Sequence, residues 1–223
     1  MGFGLFGKLP QKRDFISFGI PHEVLHPLET WLQSAVAASR AELGSRWEEL
    51  YLVAPIWRFW VGPGILGASC AGALMPSVDG IGRYFPLMAL YVAEPGRQTP
   101  PPPFAPQGDW YAALESRLLA TLGETAGIRP ETLLSDLPEP STESAEPADG
   151  LALFKGGPVW RGKANAGVAA LLASIVEADY REAARVRSYW WTAGTSEAGP
   201  MLHAREGLPD PYFYTLMLRV VAE

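Results

Sequence analysis

Three polar side chains lie close together between two apolar runs of the chain. Ser77, Asp79 and Arg83 separate the run 70–75 from the run 84–92. The glycines between them favour a tight turn, since glycine accepts a positive φ at little cost. An arginine beside an aspartate either binds a partner's polar groups or forms a structural ion pair that holds the turn closed. The local residues favour neither interpretation over the other.

A second segment carries a metal-site pattern. Residues 22–26 read HEVLH, which matches the arrangement of two zinc-binding histidines around a catalytic glutamate. That chemistry requires both imidazoles on one face of a continuous helix. Pro27 follows directly, and a proline ring inside a helix clashes with the preceding turn. We therefore expect the helix to begin at Pro27, with His22 and His26 in an irregular turn and no metal site.

Nucleophilic chemistry has weaker support. The segment around Ser69 and Cys70 resembles a nucleophile elbow but lacks its second glycine, and His203 would have to act as the base. Cys70 stands in an apolar strand pattern and is expected to be buried. We identify no catalytic residue and no cofactor motif. A hydrolase built on Ser69 or Ser77, and a small-ligand sensor with a pocket near the polar turn, remain as alternatives to a binding protein.

Apolar periodicity predicts the elements that must position these residues. Aromatic and β-branched runs predict strands at 3–6, 56–61, 69–75, 86–92, 187–192 and 212–221. Apolar residues at helical spacing predict helices at 27–43, 109–122 and 167–180. Together they predict one α/β domain over 1–223, with helices on both faces of a mixed sheet. A proline-rich connector is expected near 94–106 and a mobile acidic loop near 135–150.

Composition narrows the class of partner. The chain has 223 residues, of which 48% are hydrophobic and 19% charged, with a net charge of −6 and a single cysteine. The negative charge argues against nucleic acid and against anionic membranes. No apolar run approaches the roughly 20 residues that a membrane-spanning helix needs. The N-terminus lacks the features of a signal peptide, so we expect a cytoplasmic protein.

Several segments, in order, resemble one known family. They are GLFGKLP at 4–10, DF at 14–15, PIWRF at 55–59, MPSVD at 75–79 and GRYFPL at 82–87, with a further likeness at 188–194. The chain resembles the TagF family, also called ImpM, which is associated with type VI secretion. The resemblance implies a three-layer α/β/α domain and a non-enzymatic, cytoplasmic repressor of secretion. It also implies a scaffold protein with a forkhead-associated domain as the partner.

The candidate binding surface follows from residue types. Arginine and aromatic residues dominate interaction hot spots, and loops held on a rigid frame commonly carry function. Our candidates for contact with a partner or ligand are Lys8, Asp14, Arg58, Ser77, Asp79, Arg83 and Trp190. We predict no metal ligand, and the sequence leaves the oligomeric state open.

Overall fold

The computed structural model describes residues 1–10, 12–123, 129–144, 151–154, 157–160, 167–195 and 198–220. The strands are β1 Gly2–Lys8, β2 Phe15–Phe18, β3 Trp57–Val61, β4 Cys70–Met75, β5 Leu87–Val92, β6 Arg97–Gln98, β7 Glu143–Ser144, β8 Leu151–Phe154, β9 Gly157–Trp160, β10 Arg187–Thr192 and β11 Met201–Glu206. The helices are α1 His22–Leu43, α2 Trp47–Val53, α3 Pro63–Leu66, α4 Gly108–Gly123, α5 Pro130–Leu133, α6 Val168–Ala184 and α7 Phe213–Arg219.

Seven of these strands form the central sheet, in the order β11-β10-β3-β4-β5-β1-β2. Every neighbouring pair in it is antiparallel. The predicted α/β class is confirmed, but the prediction of a mixed sheet was wrong. Strands β4 and β5 form a hairpin joined by residues 76–86, and a hairpin returns the chain in the opposite direction.

Helices cover both faces of the sheet. One face packs against α1, α2 and α7 around Trp57, Phe59 and Trp190, while the other packs against α4 and includes Trp60 and Tyr189. Successive residues of a strand point to opposite faces, so both faces of β3 and β10 must be apolar. This requirement explains the continuous aromatic runs of the sequence and gives the expected three layers.

Helix α1 begins five residues earlier than predicted. It starts at His22 and keeps Pro27 inside, where the proline removes the backbone bond to the Glu23 carbonyl. The N–H groups of Val24 and Leu25 both donate to the carbonyl of Pro21, which begins the helix. Val24 is buried in the core on the same face as the next apolar turn. This packing offsets the one missing hydrogen bond. Our prediction considered only the cost of a proline inside a helix and not this packing.

The last apolar run is a helix, whereas we predicted a strand at 212–221. Helix α7 buries Tyr214, Met217 and Leu218 against the core and leaves Leu216 exposed. The spacing of these buried residues has the period of a helix. Thr215 also donates a hydrogen bond to Glu42 of α1 at 2.8 Å. Packing against α1 therefore overrides the strand preference of the aromatic residues.

The proline-rich connector is anchored to the sheet at its start. The Thr99 N–H donates to Ser69 Oγ at 2.8 Å, and Trp60 Nε1 donates to the Thr99 carbonyl at 3.1 Å. Of the acidic loop predicted at 135–150, residues 135–144 are described, and strand β7 pairs there with β6. Residues 145–150 lie outside the described residues, so the mobility of this loop stays a prediction.

In the part of the chain that the structure describes, no helix combines the length and apolar character that crossing a membrane would require.

Candidate functional site

The sheet register brings the polar turn next to the N-terminal loop. Leu87 of β5 pairs with Met75 on one side and with Gly7 on the other. A Cβ atom on Gly7 would lie 2.0 Å from the carbonyl oxygen of Pro86, so only glycine permits this approach. Lys8, the next residue, is thereby placed beside the segment 76–86, which we call the hairpin tip.

Asp79 is the centre of the hairpin tip. Its carboxylate accepts a hydrogen bond from Lys8 Nζ, and a second from Arg83 Nε at 2.7 Å. It also accepts hydrogen bonds from the backbone N–H groups of Ile81, at 3.1 Å, and Arg83, at 2.8 Å. Asp79 and Lys8 are both buried. A carboxylate with this many donors fixes the turn and keeps its charge inside the protein.

The protonation of Asp79 follows from the same contacts. Burial alone would raise the pKa of the carboxyl group. Hydrogen bonds from Lys8, from the Arg83 backbone and side chain, and from the Ile81 N–H outweigh this effect and hold the pKa well below its usual range. Asp79 is therefore ionised at neutral pH, and the structural ion pair considered from the sequence is present.

Ser77 is a structural residue of the hairpin tip. Its hydroxyl donates to the Lys8 carbonyl at 2.7 Å, while its backbone N–H and carbonyl both bond the Tyr51 hydroxyl, at 2.9 and 3.0 Å. Burial raises the pKa of that tyrosine. Ser69 is also buried, and its Oγ accepts the Thr99 N–H. Both serine hydroxyls that we considered as nucleophiles therefore take part in bonds that hold loops in place.

Arg83 differs from these buried residues because half of its side chain, 52%, is exposed. It donates through Nε to Asp79 and through Nη2 to the Arg13 carbonyl. Ile81 beside it is 55% exposed. Asp14 and Phe15 of the adjoining loop are exposed as well. The Phe15 ring packs against the Phe85 ring, with the ring centres 4.8 Å apart. We call the exposed residues Arg13, Asp14, Phe15, Ile81 and Arg83 the tip surface.

Two of the predicted candidates lie away from the tip surface. Arg58 of β3 forms a two-pronged ion pair with Glu115 of α4, with both distances 2.7 Å and both side chains mostly buried. Trp190 is completely buried and packs between a tilted Trp31 ring and a stacked Phe59 ring, with ring centres 4.7 and 4.9 Å away. Our expectation that Trp190 contacts a partner was therefore wrong, because both sheet faces are covered and its face belongs to the core.

An open groove runs beside the tip surface. Helix α1 contributes Ala37 and Arg40, α2 contributes Glu48, and the hairpin tip contributes Arg83 and Tyr84. The Arg40 guanidinium lies over the Trp47 ring at 4.1 Å. The Tyr84 ring packs edge-on against the same tryptophan, with the ring centres 5.6 Å apart. We did not predict Arg40 as a site residue, and no local pattern marks it, because the groove forms between elements far apart in the chain.

His22 and His26 do lie on one helix, contrary to our prediction of an irregular turn. Their exposed rings are parallel, with centres 5.7 Å apart. The described residues contain no group of three or more His, Cys, Asp or Glu side chains that could hold a metal ion. A zinc site of the metalloprotease type needs three protein ligands, so this pair is incomplete as such a site.

Comparisons with known proteins agree with the architecture. Residues 4–137 match the family model described as the TagF N-terminal domain, type VI secretion system-associated. The fold is similar to the crystal structure of PA0076 from Pseudomonas aeruginosa PAO1, with a TM-score of 0.79 and 30% sequence identity. That alignment covers 97% of this chain and 93% of the other. The comparison with curated proteins found no match.

Proposed function

Because the chain belongs to the TagF family of type VI secretion-associated proteins, we propose that it represses type VI secretion after translation, by binding a protein of the apparatus in the cytoplasm. The proposed partner is the scaffold protein with a forkhead-associated domain. The observation that carries the proposal is the hairpin tip, which is fixed from within by Asp79 and yet exposes Arg83 and Ile81.

A fixed tip favours binding. Asp79 accepts four hydrogen bonds, and the Gly80 N–H donates to the carbonyl of Lys12 at 3.1 Å, which ties the tip to the N-terminal loop. Gly82 has a φ of +83°, which closes the turn without strain. A surface that is already ordered loses little conformational entropy when a partner binds.

The chemistry of the tip surface also suits a protein partner. Phe15, Ile81 and Arg83 are each about half exposed. Interaction hot spots commonly combine apolar or aromatic anchors with arginine, surrounded by polar residues. Lys8, Ser77 and Asp79, which we predicted as contact residues, support this surface from below, since all three are buried.

The test is direct binding of the purified protein to the purified scaffold from the same secretion system, measured by calorimetry. We expect Ile81→Ser to weaken binding about tenfold, as for loss of a hot-spot side chain. Leu119→Ser is the matched control, because Leu119 is 51% exposed on α4, which packs against the opposite face of the sheet. Failure of the unmodified protein to bind the scaffold would overturn the proposal.

A cellular measurement addresses repression itself. Deleting the gene should increase the amount of type VI substrate in the culture medium without changing the amount of scaffold protein. Restoring the Ile81→Ser variant should fail to lower secretion, whereas the Leu119→Ser variant should restore repression. Unchanged secretion in the deletion strain would contradict a repressor.

A further inference from the structure

The groove between α1 and the hairpin tip is flanked by two arginines. Arg40 stands on α1 and Arg83 on the tip, and both line the groove together with Tyr84 and Glu48. Glu48 is the one carboxylate among the described lining residues, so two guanidinium groups face a single negative charge. The groove is thus locally positive, although the chain as a whole carries a charge of −6.

Both guanidinium groups are held in place before any ligand arrives. The Arg40 group is stacked on the Trp47 ring at 4.1 Å, which stabilises a fixed orientation. The Arg83 group is held through Nε by Asp79 at 2.7 Å. A planar, positioned guanidinium can bind a carboxylate through two parallel hydrogen bonds, and little side-chain entropy remains to be lost.

The charge of Arg83 is not cancelled by its contact with Asp79. The Asp79 carboxylate is shared between Lys8 and Arg83, so this group of three residues keeps a net positive charge. Lys8 is buried, whereas Arg83 is half exposed, so the uncompensated charge reaches solvent through Arg83. Electrostatic complementarity therefore favours a negatively charged ligand.

We propose that this groove binds a segment of the partner protein rich in Asp and Glu, with Arg40 and Arg83 each contacting a carboxylate. The proposal rests on the function proposed above and adds the chemistry of the partner's binding segment. The Tyr84 ring and the Ala37 methyl group at the groove surface suit the aliphatic parts of such a segment. Binding of this kind weakens with added salt, because exposed charges are screened.

The experiment uses short synthetic peptides of alternating Glu and Gly, with peptides of alternating Gln and Gly as the matched neutral control. Nitrogen-15 NMR follows the Nε–H signals of the arginines. We expect the Glu peptide to shift the signals of Arg40 and Arg83, and its affinity to fall about tenfold between about 0.05 M and about 0.3 M NaCl. The Gln peptide should shift neither signal.

Variants identify the residues responsible. Arg40→Gln and Arg83→Gln should each weaken binding of the Glu peptide about tenfold. Arg40 makes no bond to Asp79, so Arg40→Gln tests the role of the groove arginines in peptide binding even if Arg83→Gln fails to fold. Arg205→Gln is the control, since Arg205 is exposed on the edge strand β11. Equal binding by Arg40→Gln and the unmodified protein would overturn the proposal.

The two proposals fail in different ways. If the scaffold binds the unmodified protein and Arg40→Gln equally well, and the Glu peptide shifts no arginine signal, the acidic segment is excluded while the regulatory function stands. If the Glu peptide binds in the groove but the scaffold does not bind, the scaffold is excluded while the groove chemistry stands. A peptide that binds only when phosphothreonine replaces Glu would overturn the acidic segment in favour of a phosphorylated one.

Discussion

Lys8 and Asp79 form a buried ion pair that joins the end of strand β1 to the hairpin tip, across 71 positions of sequence. Their side chains are almost completely enclosed, with 4% and 0% exposed. Arg83 adds a second cation on the same carboxylate oxygen, from the solvent side. The charges of Lys8 and Asp79 inside the tip are thus paired, and Arg83 on the outside is the residue that a partner can reach.

Removing the charge of Asp79 should destabilise the protein. In Asp79→Asn the Lys8 ammonium stays buried without its counterion, and such unpaired buried charges are costly. We expect the melting temperature to fall by roughly 10 °C. Asp14→Asn is the control, because Asp14 is exposed and its loss should change the melting temperature very little. Equal melting temperatures of Asp79→Asn and the unmodified protein would contradict a stabilising role.

The contribution of Asp79 should depend on pH in a defined direction. Its pKa is lower in the folded protein than its ordinary value of 3.8, so folding favours the ionised form. The stabilisation is therefore complete above about pH 4 and is lost as the pH falls toward the lowered pKa of the folded state. We expect the difference in melting temperature between the unmodified protein and Asp79→Asn to shrink below pH 4. A difference that stays constant down to about pH 2 would argue against this linkage.

Trp190 should behave as a core residue. Trp190→Ala leaves a large cavity between Trp31 and Phe59 and should lower the free energy of unfolding by about 3–5 kcal/mol. Urea unfolding measures this difference. Leu202→Ala on the neighbouring strand removes a side chain that is 65% exposed and should cost less than about 0.5 kcal/mol. A loss of similar size in both variants would mean that Trp190 is not packed as described.

Pro27 should limit the stability of α1. Pro27→Ala restores a backbone donor for the Glu23 carbonyl, and we expect the free energy of unfolding to rise by about 1–3 kcal/mol. The comparison variant is Pro21→Ala, at the position just before the helix, where no such bond is recovered. Denaturant unfolding of both variants checks the prediction. Lower stability of Pro27→Ala would show that the proline ring is needed where it packs.

Local patterns correctly predicted the elements in which the pattern of apolar residues agrees with the faces that are buried. Strands β3, β4, β5 and β10 lie within one residue of the predicted bounds, because both faces of the sheet are covered and their runs are mostly apolar or aromatic. The predictions failed where packing outweighed local preference. Helix α7 is rich in aromatic residues but packs on α1, and α1 tolerates Pro27 because Val24 is buried on its core face.

The sequence alone determined that a polar turn with Asp79 and Arg83 joins two buried strands, because glycine, proline and apolar periodicity act over a few neighbouring residues. Which of these residues meets solvent depends on the tertiary structure. Lys8 reaches Asp79 from another strand and Tyr51 reaches Ser77 from another helix, so the sheet register determines their burial. Likewise, the groove between Arg40 and Arg83 exists only because α1 and the hairpin tip pack side by side, and no nearest-neighbour pattern encodes that contact.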